Sequence, residues 1–156
     1  MRKRFVDGLF NSILVYCLPV YGGMEKGQLQ SLQILQNKAA RLVLHAPPRS
    51  NREKMYQSLN WLSVNQLICY HSLISVFKNR LHKDPKYLSD KMNNDSCNGR
   101  IMIPYQNLSL AANSFCYRSA TQWNKLPASI RMSKNLRHFK TKIRQWVKQN
   151  VPLLLD

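Results

Sequence analysis

Seven carboxylates, four cysteines and four histidines are the main resources this chain has for acid–base, nucleophilic or metal-assisted chemistry. Two-metal nuclease or nucleotidyl-transfer chemistry needs carboxylates that hold ions about 3.5–4 Å apart. No two acids are adjacent, no Glu-x-x-His occurs, and Asp84, Asp90 and Asp95 fall in a Pro- and Asn-rich stretch with nothing to fix them. A structural zinc site needs close ligand pairs. Cys17, Cys69, Cys97 and Cys116 are scattered without a Cys-x-x-Cys, and His45, His71, His82 and His138 form no closely spaced arm. The phosphate-binding loop and the nucleophile turn are both missing from the sequence. The expectation is a noncatalytic chain with no metal, cofactor or small-molecule substrate.

What the chain has in abundance is positive charge: 24 Lys and Arg against 7 Asp and Glu, a net charge of +17. Such an excess repels itself in isolation and points to a polyanionic partner, with RNA or DNA backbone first and an anionic membrane surface a distant second. The imbalance grows along the chain, because no acid occurs between Asp95 and Asp156 while ten Lys and Arg residues do. On a helix wheel Arg137, Arg144 and Lys148 share an arc of about 40°, and Lys134 widens it to about 80°. That stripe lies about 145° from the apolar face of the same segment. Lys134, Arg137, Arg144 and Lys148 are therefore the first candidate phosphate contacts, with a merely solvated face as the alternative. Arg41, Arg49 and Arg52, around the Pro47-Pro48 turn, form a second cluster.

The stretch from Ser114 to Pro127 adds Phe115, Tyr117 and Trp123 around a lone Arg118. These rings could stack nucleobases, worth about 1–3 kcal/mol each on a single strand. Their helical spacing favours the core instead, since Trp and Phe bury large areas. Both readings stand at this stage. His71, on an apolar stripe with no partner at i±4, reads as a core histidine rather than a ligand.

The elements that must position these residues are helical. Apolar residues make up 44% of the chain, enough for a core. Val6, Leu9, Phe10, Ile13, Leu14 and Cys17 recur at helical spacing before Pro19 and Gly22-Gly23 end the pattern. A helix over residues 25–45 is expected to bury Leu29, Leu32, Leu35, Ala39, Leu42 and Val43. Ser50 to Glu53 reads as a capping box opening a short helix to Leu59, and Ser63 to Gln66 repeats the device. The helix after it carries Leu67, Tyr70, His71, Ile74, Phe77 and Leu81 on one side. Cys17 and Cys69, in apolar company, read as buried. Residues 89–100 look like a loop, and 101–103 like a short strand ahead of Pro104. A helix beginning near Arg118 ends at Asn124, and the last helix, residues 133–150, buries Leu136, Phe139, Ile143, Trp146 and Val147.

The fold expected is mainly α, a small bundle of about five to six helices with at most a short β element near 101–104. Residues 1–88 form an N-terminal helical part, 89–113 a loop-rich connector and 114–156 a basic C-terminal helical part, together one compact domain. The basic, apolar start resembles a secretory signal only superficially: Asp7, Asn11 and Ser12 interrupt it, and no cleavage-site pattern follows. Its uninterrupted core, 13–18, is too short to span a membrane. An intracellular protein is expected, so the acceptor pattern at Asn107 and Ser109 and any disulfides would not matter.

Read in order, four blocks resemble the C-terminal region of LINE-type (non-LTR) retrotransposon reverse transcriptases. "LVYCLPVYG" (14–22) is similar to an apolar-aromatic run closing on Pro-Val-Trp-Gly, with Tyr21 in place of the commoner Trp. "LQSLQILQNKAARLVLHAP" (29–47) resembles the family helix built on Gln-Asn-Lys/Arg-Ala-x-Arg, here Gln36 to Arg41. "LNWLSVNQLICYHSLISVFK" (59–78) resembles a Leu-x-Trp-Leu segment and its following helix. "SFCYRSATQWNKLPASIRMSKNLRHFKTKI" (114–143) resembles the terminal pattern with Trp-Asn-x-Leu-Pro and Leu-x-x-Phe-Lys. The resemblance implies a region beyond the thumb that helps hold template RNA or target DNA, without the Asp-Asp palm motif. A chain starting at Met1 without that palm reads as a truncated element. The function expected is a noncatalytic nucleic-acid-binding accessory fragment. The alternatives are a helical protein-interaction scaffold for the palm and thumb domains, or a nonfunctional transposon remnant.

Overall fold

The computed structural model describes residues 2–92, 99–103 and 113–152. Asp95, Cys97, Asn107 and Ser109 lie outside the described residues. The chain is mainly helical, as its periodicities predict, and no strand forms among the described residues.

The first segment is a broken helix: α1 (Arg2–Val6), a π-helical turn (Asp7–Asn11), α2 (Ser12–Val15) and, after a kink, α3 (Leu18–Tyr21). The kink is at Cys17, in the left-handed region at φ 53°. Cys17 is therefore exposed, not buried as its neighbours suggested. The long helix α4 (Lys26–Leu44) follows and ends at His45, also left-handed at φ 51°.

Helix α5 (Arg52–Leu59) opens one residue later than expected. Asn51, not Ser50, is its N-cap, its side chain accepting from the Lys54 N–H, while the Ser50 hydroxyl turns back to Pro47 O. The second capping box is formed in full at Ser63 and Gln66, where helix α6 (Val64–His82) starts. Helix α6 is the hub, packing on α3, on α4 and on the helices that follow. It is buried on more than one side, so Ile68, Cys69, Leu73 and Val76 join Ile74 and Phe77 inside, whereas Leu81 faces water.

Helix α7 (Lys86–Met92) occupies the start of the stretch expected to be loop, because Leu88 and Met92 have the main core to pack against. Helices α8 (Phe115–Asn124), α9 (Ala128–Arg131) and α10 (Leu136–Asn150) complete the chain. Ser114 caps α8, which starts three residues before Arg118, and Asn135 caps α10, which starts at Leu136 rather than at 133.

Two different cores result. The larger gathers α6, α7, α8 and α10 around an aromatic stack. Phe77 and Phe139 lie 4.2 Å apart at 17°, and Trp123 tilts onto Phe139 at 5.6 Å. Such ring pairs add about 0.5–1.5 kcal/mol each beyond the area they bury. Phe139, Ile143 and Val147 on α10 are fully buried, with Leu136 and Trp146 half-buried beside them.

The smaller core, under α4, is mixed: apolar clusters of Val6, Ala40, Leu59 and Trp61 and of Leu18, Val64 and Ile68 accompany a buried polar network. The residues α4 buries are Gln33, Gln36, Asn37 and Ala40, while Leu35 and Leu42 face outward and Leu29, Leu32, Ala39 and Val43 are half-buried. Of the expected stripe, Leu35 and Leu42 thus leave the core, while Leu29, Leu32, Ala39 and Val43 pack partly buried against apolar clusters. Buried amides are tolerable when hydrogen-bonded, and the three side-chain oxygens and the Nε2 groups of Gln33 and Gln36 all have partners. Gln33 Nε2 donates to the Tyr56 hydroxyl at 2.6 Å and Gln36 Nε2 to Leu62 O at 2.9 Å. The Tyr56 hydroxyl is 2.9 Å from Asn37 Oδ1, and the Val64 N–H donates to Gln33 Oε1 at 2.9 Å. This network ties α4 to α5 and to the cap of α6. It is the structural role of the Gln-Asn pair in "QNKAAR".

Candidate nucleic-acid interface

The candidate site begins with how α10 is held. Its buried triad Phe139, Ile143 and Val147 anchors one side, which forces the basic stripe outward. Lys134 and Arg137, at the N-terminal end of that stripe, are exposed, and their side chains make no hydrogen bond or ion pair among the described residues. Arg144 and Lys148 are different. The Arg144 Nη2 donates to Asn60 O at 2.6 Å, and the Lys148 Nζ to Asn60 Oδ1 at 2.6 Å. Asn60 is the left-handed C-cap of α5, at φ 54°, so the turn after α5 offers both its carbonyl and its amide to the stripe. Each cation keeps further N–H donors for a phosphate, three in all on an ammonium and five on a guanidinium. Arg137, Arg144 and Lys148 thus lie along one helix, whereas Lys134, expected on its first turn, stands ahead of the Asn135 N-cap; Lys134 and Arg137 are exposed, and the other two are pinned to a neighbouring turn.

Beside the pinned pair, a groove of ≈ 520 Å³ separates α5 from the end of α10, lined by Glu53, Tyr56, Gln57, Trp61, Lys148 and Gln149 among others. The second expected cluster lies on the α5 side. Arg41 is half-buried and its Nε has no hydrogen-bond partner among the described residues. Arg41 and Arg52 both act on Tyr56: burial pushes its phenol far above the usual range, and the Gln33 hydrogen bond and the two guanidiniums oppose that. Arg52 is already engaged within the chain, and Arg49 stands exposed in the turn. Of this cluster only Arg49 is fully presented to solvent.

The aromatic platform does not form around Trp123. Trp123 is 0% exposed, its Nε1 donating to Gly99 O at 2.9 Å, and the Arg80 guanidinium sits 5.3 Å above its ring. A base cannot reach it. Phe115 is half-buried against the main core, and Tyr117 is half-buried on the same short helix. The segment "WNKLP" works as a clip instead. Asn124 Oδ1 accepts from the Ile101 N–H at 3.0 Å, and its Nδ2 donates to Ile101 O at 2.7 Å. One side-chain amide here engages both backbone groups of Ile101, where only an isolated bridge residue, and no strand, forms among the described residues.

Arg118 is a strut. Its Nε donates to Asn113 O at 2.9 Å and its Nη2 to Pro19 O at 3.1 Å, joining α8 to the N-terminal turn. Burial holds its pKa below the usual arginine value. A side chain at Gly22 would overlap this guanidinium and come within 2.6 Å of Ile68 Cγ2, which explains the glycine.

One cationic group escaped the sequence reading. Arg131 is 7% exposed, with Nη1 donating to Asn124 O at 3.1 Å and Nε unpaired. Burial, then Arg100 and Arg80, lower its pKa, so three guanidiniums repel one another at this place. They come from separate segments, and the run of cations after Asp95 contains only Arg100 and Arg131 of the three.

Elsewhere, burial pushes the Cys69 thiol up to about 12 and the Tyr70 phenol upward, the latter opposed by a hydrogen bond with Arg144. His71 packs edge-on to Tyr70 at 5.3 Å. Burial, with Lys140 and Lys78 nearby, lowers its pKa. Among the described residues no three His, Cys, Asp or Glu side chains gather around a possible metal position, and no helix is long and apolar enough to cross a membrane. No protein-family model matches the chain, nor does any curated protein or solved structure.

Proposed function

We propose that this chain binds nucleic acid through its phosphate backbone, without catalysis, as an accessory region of a LINE-type reverse transcriptase acting inside the cell. The observation that carries the reading is the C-terminal helix: Phe139, Ile143 and Val147 lock it, while Arg137, Arg144 and Lys148 follow its outer side, with Lys134 just ahead of its N-cap and no acid anywhere between residues 99 and 152. A rigid cationic rod of this kind positions a polyanion without reading its bases. The order of the four sequence blocks supports the element of origin, and the scattered carboxylates support a binding role rather than polymerase chemistry.

The test is affinity for labelled single-stranded RNA and for a DNA duplex over a salt series. With roughly five phosphates neutralised, log K falls against log salt with a slope of about −3.5 on single strands and about −4.5 on duplex. Replacing Lys134 and Arg137 by glutamate weakens binding of every sequence alike and flattens the slope. Association that ignores salt, or none at low ionic strength, overturns the reading.

A further inference from the structure

The outward face of α4 and the broken helix α1–α3 leave a trough that the nucleic-acid reading does not use. Its volume is ≈ 390 Å³, and Phe10, Ile13, Tyr21, Met24, Leu32 and Leu35 are among its lining residues. Ile13 is 75% exposed and Leu35 48%. The same two helical segments also expose Phe5, Leu9, Tyr16 and Val20 on the first and Ile34 and Leu42 on α4. A groove lined by apolar side chains and flanked by this many exposed ones marks an interaction site rather than ordinary surface composition. The buried amides of α4 help explain why it is there: Gln33, Gln36 and Asn37 take inside positions, and Ile34, Leu35 and Leu42 are left outside.

The rim is cationic. Arg2 Nη1 lies 3.1 Å from His45 Nδ1, which sets the start of α1 against the end of α4 and brings exposed Lys3 and Arg4 to that end. Lys38 is exposed four residues from both Ile34 and Leu42, and Lys26 is exposed at the opposite end of α4. Only Asp7 and Glu25 oppose them within residues 2–45, and the Asp7 carboxylate already accepts from Asn11 Nδ2 at 2.6 Å.

We propose that this trough receives the apolar stripe of an acidic amphipathic helix from a partner protein. A trough between two helices fits a rod, and helix-in-groove recognition reads anchors at i, i+3, i+4 and i+7. Charge selects the occupant: carboxylates flanking its stripe complement the lysines and arginines of the rim. A second copy of this chain is disfavoured by the same rule, since each copy carries +17. A lipid surface is flat and would leave the floor of the trough unfilled.

The test uses a labelled helical peptide of about 18 residues with leucines at the anchor spacing and glutamates beside them. Controls are a scrambled peptide of the same composition and one with lysine in place of glutamate. The full-length chain is expected to bind the acidic striped peptide about tenfold more tightly than either control. Ile13→Gln with Leu35→Gln is expected to remove that preference while far-UV circular dichroism and thermal unfolding stay unchanged, because both side chains face out. If that pair perturbs folding, Phe5→Gln with Leu42→Gln, farther out on the same surface, answers the question. Equal binding of the scrambled peptide would reduce the effect to bulk charge and overturn the proposal. Phosphatidylcholine–phosphatidylserine vesicles, or a self-association seen by sedimentation, becoming sensitive to these substitutions while the peptide is ignored would also overturn it, in favour of lipid or a second copy.

Discussion

On α10, Phe139, Ile143 and Val147 are sealed inside and the cations face water; on α4, Gln33, Gln36 and Asn37 are sealed inside and Ile34, Leu35 and Leu42 face water. The two helices belong to one chain and satisfy the same physics with opposite side-chain classes. Around α10, apolar burial and aromatic stacking supply the packing, so the polar side is left to solvent. Around α4, a buried amide network adds to the apolar contacts of Leu29, Leu32, Ala40 and Val43, and Ile34, Leu35 and Leu42 are left exposed. The contrast teaches that an amphipathic helix does not announce which side it buries. What it buries depends on whether its neighbours bring carbon or hydrogen-bonding groups to the interface.

Substitutions can break this comparison, the most damaging first. Trp123→Ala removes the ring that Phe139 packs on and the donor to Gly99 O, and is expected to cost about 3–5 kcal/mol in urea unfolding. A variant that kept its stability but lost single-strand affinity would return Trp123 to the role of a stacking platform. Next comes the buried polar network. Gln36→Ala strands Leu62 O and part of the Tyr56 network, with an expected loss of about 1–3 kcal/mol; a neutral result would mean that the amides are not what binds α4 to α5. Gly22→Ala presses a methyl group on Arg118 and Ile68 and is expected to cost a comparable or smaller amount, about 1–3 kcal/mol, read from the thermal midpoint.

The smallest expected effect is a pH dependence. His71 has a pKa below its ordinary 6.5 because of burial and the nearby lysines Lys140 and Lys78. Between the lowered folded value and 6.5 the unfolded chain binds more protons, so stability rises with pH across that window. The contribution is fully present above 6.5 and is lost as pH falls through the folded value. Unfolding free energies measured over a pH series are expected to show this slope, and His71→Gln to remove it.

Local signals were readable in advance because their physics is local. Ser63 and Gln66 close their box within one turn of chain, and the sequence alone showed it. Phe139, Ile143 and Val147 were readable too, since a chain that must bury something on α10 has only one apolar side to offer. The cap at Asn51 was missed by a single residue, two adjacent side chains being equally able to accept the hydrogen bond. The clip of Asn124 on Ile101 was missed for a different reason. A side-chain amide bonding to backbone leaves no periodicity to read, and its partner lies 23 residues away. Of the site, the stripe on α10 was legible as a list, but not the division between Lys134 and Arg137 in water and Arg144 and Lys148 on Asn60.

The amino-acid sequence by itself determined the helical class, the excess of positive charge and the outward course of the C-terminal cations, because each follows from residue type and spacing along a single helix. Tertiary structure alone decided that Trp123 donates to Gly99 O, that Arg118 is a strut and that α4 turns Gln33, Gln36 and Asn37 inward while Ile34, Leu35 and Leu42 face out. The reason is that a buried polar group is favourable only with its partner in place, and Tyr56, Leu62 and Val64 reach Gln33, Gln36 and Asn37 only once the chain has folded.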